Sequence, residues 1–315
     1  MKKSLVIIPA RGIGDLIYHL PLLRSLYESY KEKLIIISNK VNHSKEIYKY
    51  ETFYEKIIYF ENTRFPFIKT LKTIINLKNL INQFNVDQLI LTGSPRRLMA
   101  PVYLSNVKKK IIFGEGNFLF FKNNKYQHLT HAEKIIKYTD DLNLPVKNKN
   151  FFLTSNQIIE KDQYSNSSVK LFITLDSHHD QNNWKLKNFI TIISKIMQYD
   201  VKIFINFSPS KLYFLDQIPK EIINSNKIKF THNENILEIM NIINSCTFVI
   251  GNETGPICLG ASLKKEVHSI YLPIHTKPES QIIKGNVFYY NTKEENDETI
   301  INKIMSSVLK KISLT

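Results

Sequence analysis

Short runs rich in valine and isoleucine alternate with longer segments of helical period along most of this 315-residue chain. In the first half, strands are predicted at residues 5–9, 34–38, 56–60, 88–92 and 110–113, with helices between them and a further helix at 131–142. The alternation restarts at residue 169 and continues to the end of the chain. β and α segments in alternation predict parallel sheets that are covered by helices.

A polar stretch at residues 143–168 interrupts this pattern and is interpreted as a linker. The sequence therefore predicts an α/β protein with two Rossmann-like, doubly wound domains, at residues 1–150 and 151–315. The length, with a hydrophobic content of 43%, allows two cores. Ligands of such sheets bind outside the carboxyl ends of the strands, so we expect the site in a cleft between the domains.

Positive charge is concentrated in the first half. Residues 1–150 hold 25 Lys and Arg against 12 Asp and Glu, a net charge of +13, whereas residues 151–315 hold 18 against 16, a net charge of +2. Such a field attracts nucleic acid, an anionic membrane or an acidic substrate. Nucleic acid is disfavoured, because no recognition module accompanies the basic residues. No apolar run is long enough to cross a bilayer and two cysteines give no disulfide framework, which favours a cytoplasmic location.

The first motif lies where the first predicted strand runs into a helix, at residues 9–21. Gly14 and its neighbours allow a close approach of the backbone to a ligand, and the helix start offers unpaired N–H groups. Asp15 falls in the first helical turn, where the helix dipole favours its ionised form. An ionised carboxylate there can take a proton from a hydroxyl group. The alternative is that Asp15 only caps the helix.

The second motif, at residues 248–261, again joins a strand to a helix. Thr254 or Gly255 is a candidate cap, and Pro256 suits the first helical position. Backbone amides at such a helix start can hold a diphosphate. Glu253 can accept hydrogen bonds from sugar or ribose hydroxyls. The alternative is an ordinary connection between a strand and a helix.

Together the two motifs resemble those of glycosyltransferase family 9, the heptosyltransferases of lipopolysaccharide core synthesis. The matching positions are Gly14, Asp15, Leu16, Ile17, Pro21 and Arg24 in the first motif, Glu253, Thr254, Gly255 and Cys258 in the second, and the segment Asn182-Asn183-Trp184 between them. The resemblance implies a GT-B fold that binds the acceptor in the first domain and the donor in the second. It also implies an inverting, metal-independent transfer with Asp15 as the general base and with Thr254 and Gly255 at the donor.

Three positions depart from the pattern of this family. Glu253 stands where Asp is usual, Cys258 replaces a His, and Asn182 replaces a Lys that binds phosphate. Loss of that Lys weakens stabilisation of the leaving diphosphate unless Lys185 or Lys187 substitutes for it. These changes concern the ADP-heptose donor more than the fold.

Further candidates are assigned by their positions after predicted strands. Ser177 and His178 follow a strand of the second half and are expected to donate to phosphate; the neighbouring 176–180 segment is interpreted as a polar loop and not as a metal site. Cationic acceptor ligands are expected in the first half. They are Arg11, Arg64, Arg96 and Arg97, with the backbone of Gly14.

The sequence thus predicts an inverting glycosyltransferase that uses a nucleotide-diphosphate sugar, most simply an ADP-sugar, and an anionic lipopolysaccharide-type or other glycan acceptor. No cofactor or metal is expected beyond the nucleotide sugar, and no nucleic acid. Peripheral contact with an anionic inner-membrane surface is compatible with the charge. Two alternatives remain, a nucleotide-sugar epimerase of the same architecture and a catalytically weak relative that only binds a nucleotide sugar.

Overall fold

The computed structural model describes residues 2–60, 67–93, 96–113, 116–118, 121–123, 125–126, 128–154, 169–177, 183–272 and 278–314. The chain divides into two compact units, Met1–Phe151 (unit 1) and Phe152–Thr315 (unit 2). Each unit has a parallel sheet flanked by helices, which confirms the predicted fold class. Within the described residues, no helix is both long enough and apolar enough to span a membrane.

Unit 1 contains a five-stranded parallel sheet with the strand order β3-β2-β1-β4-β5. Every residue of the central strand β1 is buried, as expected for a strand covered on both faces. A short antiparallel hairpin, β6 with β7, follows the sheet and was not expected from the sequence. The strands are β1 Ser4–Ile8, β2 Leu34–Asn39, β3 Tyr54–Phe60, β4 Gln88–Leu91, β5 Lys109–Ile112, β6 Gly116–Phe118 and β7 Phe121–Asn123.

The described helices of unit 1 are α1 Ile13–Tyr30, α2 Ser44–Ile47, α3 Phe67–Asn82, α4 Arg96–Tyr103 and α5 His131–Asp141, with a 3-10 helix at Lys40–Asn42. Helices α3 and α4 share one core with the sheet, in which Leu77 and Met99 pack with Leu5 and Leu89. Helix α1 packs against α5. This second contact brings the start of α5 close to the start of α1.

The described part of the predicted linker is held against α1. Val146 N donates to Ser29 Oγ at 3.1 Å, and Asn148 N donates to Ser25 Oγ at 2.8 Å. Residues 143–150 therefore extend the surface of unit 1, whereas residues 155–168 lie outside the described residues.

Unit 2 repeats the strand order of unit 1 with one more strand at its edge, β10-β9-β8-β11-β12-β13, and all pairs are parallel. The strands are β8 Val169–Thr174, β9 Val201–Asn206, β10 Ile228–Phe230, β11 Phe248–Asn252, β12 Glu266–Tyr271 and β13 Val287–Asn291. The described helices are α6 Leu186–Ile196, α7 Lys220–Ile223, α8 Ile236–Ser245, α9 Gly255–Ser262 and α10 Asp297–Ile312, with 3-10 helices at Pro209–Gln217 and Glu279–Ile283.

The apolar side of α10 lies in the core of unit 2 through Ile300, Ile304 and Val308. At the centre of the sheet, β11 approaches β8 so closely that a Cβ on Gly251 would stand 2.2 Å from Thr174 Cγ2 and 2.6 Å from the Thr174 carbonyl oxygen. Only glycine fits there.

In both sheets the strand order reverses beside the first strand, between β1 and β4 in unit 1 and between β8 and β11 in unit 2. Ligands of doubly wound sheets bind at the carboxyl ends of the strands at such switch points. The first motif follows β1 and the second follows β11. The fold therefore places each motif at the binding end of its own sheet.

Candidate functional site

Asp15 is the third residue of α1, and it caps that helix. Its Oδ2 accepts a hydrogen bond from Gly12 N at 3.0 Å, and Gly12 is the N-cap residue. A Cβ at Gly12 would stand 2.9 Å from Oδ2, so glycine leaves the carboxylate its room. The capping role is present, and it occupies one of the two oxygens. The side chain of Asp15 stays 28% exposed, so solvent or a ligand has access to it.

The other oxygen of Asp15 faces His131. Asp15 Oδ1 lies 3.6 Å from His131 Nε2, and His131 is the first residue of α5. Thr130 caps α5 and accepts from Glu133 N, which fixes the start of the helix. A protonated His131 would form an ion pair with Asp15 and hold Oδ1 in place. His131 was not among the predicted site residues, because the packing of α1 on α5 cannot be read from the sequence.

His19 lies one turn further along α1 and is fully buried. Its Nδ1 lies 2.5 Å from the backbone carbonyl oxygen of Asp15, and its Nε2 lies 2.7 Å from Thr92 Oγ1 at the end of β4. A carbonyl only accepts, so Nδ1 carries the proton of the neutral ring. The Nε2 atom then competes with the Ile7 carbonyl oxygen, 3.0 Å from Thr92 Oγ1, for the single proton of the Thr92 hydroxyl. Burial, and then the neighbouring His131, lower the pKa of His19 to about 3. A neutral ring therefore ties α1 to the sheet beneath Asp15.

The cationic acceptor candidates are only partly described. Arg11 is exposed at the start of the first motif, and Gly14 lies half-buried in the first turn of α1. Arg96 and Arg97 open α4 by their backbone, but their side chains, like all of Arg64, lie outside the described residues.

Arg24, which the family resemblance includes, has a structural role. Its guanidinium forms two bonds with the carboxylate of Glu51, at 2.8 and 3.2 Å, and donates to the Asn150 carbonyl oxygen at 3.0 Å. This pair is largely buried. Arg24 therefore fastens α1 to its neighbours.

In unit 2, α9 begins at the second motif. Thr254 is the N-cap in an extended conformation, and its hydroxyl donates to the Asn252 carbonyl oxygen at 3.0 Å instead of capping the helix. Pro256 has no N–H group, so the amides of Gly255 and Ile257 are the donors of this first turn. They have no acceptor within the helix, which makes the turn suitable for an anion.

The carboxylate of Glu253 is engaged inside unit 2. Its Oε1 accepts from Ser280 N at 2.8 Å, and its Oε2 accepts from the hydroxyls of Ser280, at 2.8 Å, and of Ser269. The turn before α9 is therefore fixed by two donors of Ser280, at the start of the Glu279–Ile283 helix, and by one donor of Ser269 on β12. Cys258, at the other departing position, is buried. No local pattern indicates these serine partners, which lie 16 and 27 residues further along the chain.

The end of β8 carries a buried acid and a buried serine. Asp176 is 5% exposed and accepts from Ser208 N at 3.1 Å, while burial raises the pKa of its carboxyl group. Ser177 is also buried, and its N–H donates to Asn183 Oδ1 at 2.6 Å. His178 and Asn182 lie outside the described residues. Among the residues that are described, no three His, Cys, Asp or Glu side chains form a group suited to a metal.

Trp184 packs in the core of unit 2 and is only 3% exposed. Its backbone N donates to Asn252 Oδ1 at 2.7 Å, and its indole Nε1 donates to Asp297 Oδ1 at 2.7 Å. Asn252 Nδ2 in turn donates to the Leu175 carbonyl oxygen. The ammonium of Lys185 lies 3.5 Å from Asp297 Oδ2 while the side chain remains 68% exposed. These bonds fix the segment after β8 to the turn before α9.

Comparison with known proteins gives structural relatives only. No family model matches the sequence, and no curated protein matches it. A glycosyltransferase family 9 structure from Veillonella parvula DSM 2008 superposes with a TM-score of 0.77 at 14% identity over 98% of this chain and 90% of that one. The E. coli heptosyltransferase WaaC with ADP gives 0.71 at 12% identity over 96% and 99% of the two chains.

Nucleotide-sugar epimerases are also related in structure. A UDP-GlcNAc 2-epimerase from Methanocaldococcus jannaschii gives a TM-score of 0.62 at 16% identity over 97% of this chain and 92% of that one. At sequence identities of 12–16%, these superpositions establish the fold alone. The chain therefore has the GT-B fold of glycosyltransferase family 9 structures, and the resemblance read from its motifs is confirmed at the level of the fold.

Proposed function

We propose that this protein is an inverting glycosyltransferase that moves a heptose-like sugar from a nucleotide-diphosphate sugar to an anionic glycan. Asp15 takes the proton from an acceptor hydroxyl while that oxygen bonds to the anomeric carbon of the donor. The bond from the anomeric carbon to the diphosphate oxygen breaks, and the nucleoside diphosphate leaves with its electron pair. The reaction needs no metal in this scheme, because backbone amides and side chains stabilise the leaving group.

The observation that carries the proposal is that the two oxygens of the Asp15 carboxylate have different contacts. Oδ2 is fixed by Gly12 N, whereas Oδ1 is turned to His131 and the side chain stays partly exposed. A general base needs one oriented oxygen that a substrate can reach. The position after β1, beside the switch point of the sheet, is where such a substrate binds.

The donor half of the proposal rests on α9. The first-turn amides of Gly255 and Ile257 supply donors for a diphosphate, and an ADP-sugar is our first choice because WaaC was solved with ADP. Glu253 and Trp184 support this turn through their bonds to neighbouring segments. We therefore assign Glu253 mainly to holding the turn, with Thr254 and Gly255 nearest to the ligand. Ser177, His178, Asn182 and Lys185 remain proposed donor contacts.

The acceptor half rests on charge. Unit 1 carries most of the net charge of the protein, and Arg11, four residues before Asp15, is exposed. A phosphorylated or acidic glycan suits that field. Arg64, Arg96 and Arg97 remain proposed ligands for its anionic groups, and we propose that the protein acts in the cytoplasm.

Replacement of the proposed base tests the reaction. Asp15→Asn keeps an oxygen that can accept from Gly12 N but removes the basic carboxylate, so transfer should fall by about 10²–10⁴-fold while ADP binding stays normal. Transfer is measured with ADP-heptose and de-O-acylated lipopolysaccharide, and ADP binding by thermal shift. Asp87→Asn is the matched control, since Asp87 also accepts a backbone N–H, from Lys3 N at 2.8 Å. Turnover within threefold of the wild type in Asp15→Asn would remove the base assignment.

The epimerase alternative is supported by the shared fold of the Methanocaldococcus jannaschii enzyme. An epimerase changes its nucleotide sugar without any acceptor. Incubation with UDP-N-acetylglucosamine alone, followed by NMR of the sugar protons, distinguishes the two functions. Appearance of the 2-epimer would replace the transferase proposal, and binding of ADP without transfer, hydrolysis or epimerisation would indicate the relative that only binds.

A further inference from the structure

Helices α3 and α4 cover one face of the sheet in unit 1 and leave apolar side chains in solvent. Leu71 is 51% and Ile75 49% exposed on α3, and Tyr103 is 46% and Leu104 58% exposed at the end of α4. Asn106 N donates to Asn82 Oδ1 at 2.8 Å, which holds the ends of the two helices together. We call this area the α3–α4 surface and define it by Leu71, Lys72, Ile75, Lys78, Tyr103, Leu104 and Lys108.

The exposed apolar residues are not needed by the core. Among the described side chains of α3, Leu77 and Ile81 are buried in the core on the sheet, and Leu80 is partly buried beside them. Leu71, Ile75 and Lys78 follow the i, i+4, i+7 spacing of a single helix face, on which Leu71 and Ile75 are exposed and Lys78 is half-buried. The outer side of α3 therefore combines aliphatic groups with a cation.

The segment that forms this surface is nearly free of acidic residues. Residues 67–113 contain eight Lys and Arg but one acid, Asp87, and α3 contains none. The Asp87 carboxylate is itself bound by Lys3 N. Cations are crowded enough at the sheet edge that Lys2 lowers the pKa of Lys109. The positive charge of this face is thus largely unmatched within its own segment.

We propose that the α3–α4 surface docks unit 1 on an anionic phospholipid bilayer. Half-exposed leucine and isoleucine gain by entering the boundary between headgroups and acyl chains, while the lysines beside them gain from anionic headgroups. Nucleic acid is the weaker partner, because Tyr103 is the one ring among the residues that define the surface, and a single ring offers little for successive bases to stack on. The proposal concerns unit 1 alone and is independent of the proposed transfer.

Sedimentation with lipid vesicles tests the proposal on the full chain without any nucleotide sugar. The wild type should sediment with vesicles of phosphatidylcholine and phosphatidylglycerol at low salt, and not with phosphatidylcholine alone. Lys72→Glu with Lys78→Glu should lower the partition coefficient by about fivefold or more for each position, because a cation near an anionic surface is worth about 1 kcal/mol. Leu71→Gln with Ile75→Gln should also lower it at high salt, where charge is screened.

Two control pairs lie in unit 2. Leu212→Gln with Tyr213→Gln alters an apolar pair of equal exposure, 49% and 48%. Lys220→Glu with Lys310→Glu alters two exposed lysines. Both controls should sediment like the wild type. The proposal fails if the wild type ignores anionic vesicles, if the controls lose as much binding as the α3 variants, or if a polynucleotide binds more tightly than the vesicles and displaces them. If an α3 variant loses its far-UV circular dichroism and so fails to fold, the single variants Lys72→Gln and Ile75→Gln replace it. These single variants must then show reduced partition into anionic vesicles.

Discussion

Acidification should destabilise unit 1 through His19, and His19→Gln should remove that effect. Burial holds the pKa of His19 at about 3, against about 6.5 in the unfolded chain. Between these two values only the unfolded chain binds the proton, so falling pH favours unfolding. The stability that a neutral His19 contributes is complete above pH 6.5 and is lost progressively as the pH falls toward 3.

The size of the effect follows from the difference between the two pKa values. Linkage gives a loss of about 2 kcal/mol at pH 5 and about 3 kcal/mol at pH 4 relative to neutral pH. His19→Gln has no titrating group, and its amide can donate to the Asp15 carbonyl and accept from the Thr92 hydroxyl. The variant should be less stable at pH 7.5 because of imperfect packing, and the gap should close as the pH falls.

Urea denaturation followed by circular dichroism at several pH values measures this difference, and hydrogen exchange of the β1 amides reports it locally. His128→Gln is the control, since His128 is exposed in the same unit. Equal slopes of stability against pH in His19→Gln and the wild type would refute the assignment of a neutral, buried His19.

Two substitutions in unit 2 follow from close contacts. Gly251→Ala should destabilise the protein by about 3 kcal/mol in denaturant titration, because its Cβ would overlap Thr174 including the backbone, whereas Gly285→Ala meets its nearest atom at 3.1 Å and should cost less. Equal midpoints for these two variants would contradict the close approach of β11 and β8. Glu253→Gln should lower the free energy of unfolding by about 1–3 kcal/mol, because it turns an amide N–H group toward the hydroxyl donors of Ser269 and Ser280. Glu221→Gln, at an exposed position, is the control. An unchanged melting temperature of Glu253→Gln would show that the serine contacts contribute little to stability.

Local pattern was sufficient for most of the fold. The apolar run of β1, and the other short apolar runs that are bounded by polar residues, predicted parallel strands. The prediction of two doubly wound sheets is confirmed. Asp15 was predicted in the first turn of α1, and it lies there, since the helix begins at Ile13 with Gly12 as its cap. The β6–β7 hairpin was missed, since its two strands of three residues are too short to produce a periodic signal.

The candidate site was less accessible to sequence reasoning, because its contacts join distant residues. Asp15 was selected from its motif, but the orientation of its two oxygens depends on Gly12 and on His131, which lies on another helix. The bond from Trp184 to Asp297 spans 113 residues. No periodicity encodes such pairs, which form only when helices and strands have been packed.

The location of Trp184 gives the protein an optical reporter of its own. It is the only tryptophan beside 16 tyrosines, so red-edge excitation selects a single fluorophore. Its emission depends on an indole that is 3% exposed and on a backbone amide bonded to Asn252, two residues before Thr254. A nucleotide that shifts the turn in front of α9 will perturb this fluorophore through Asn252, so ligands can be titrated by emission without a label.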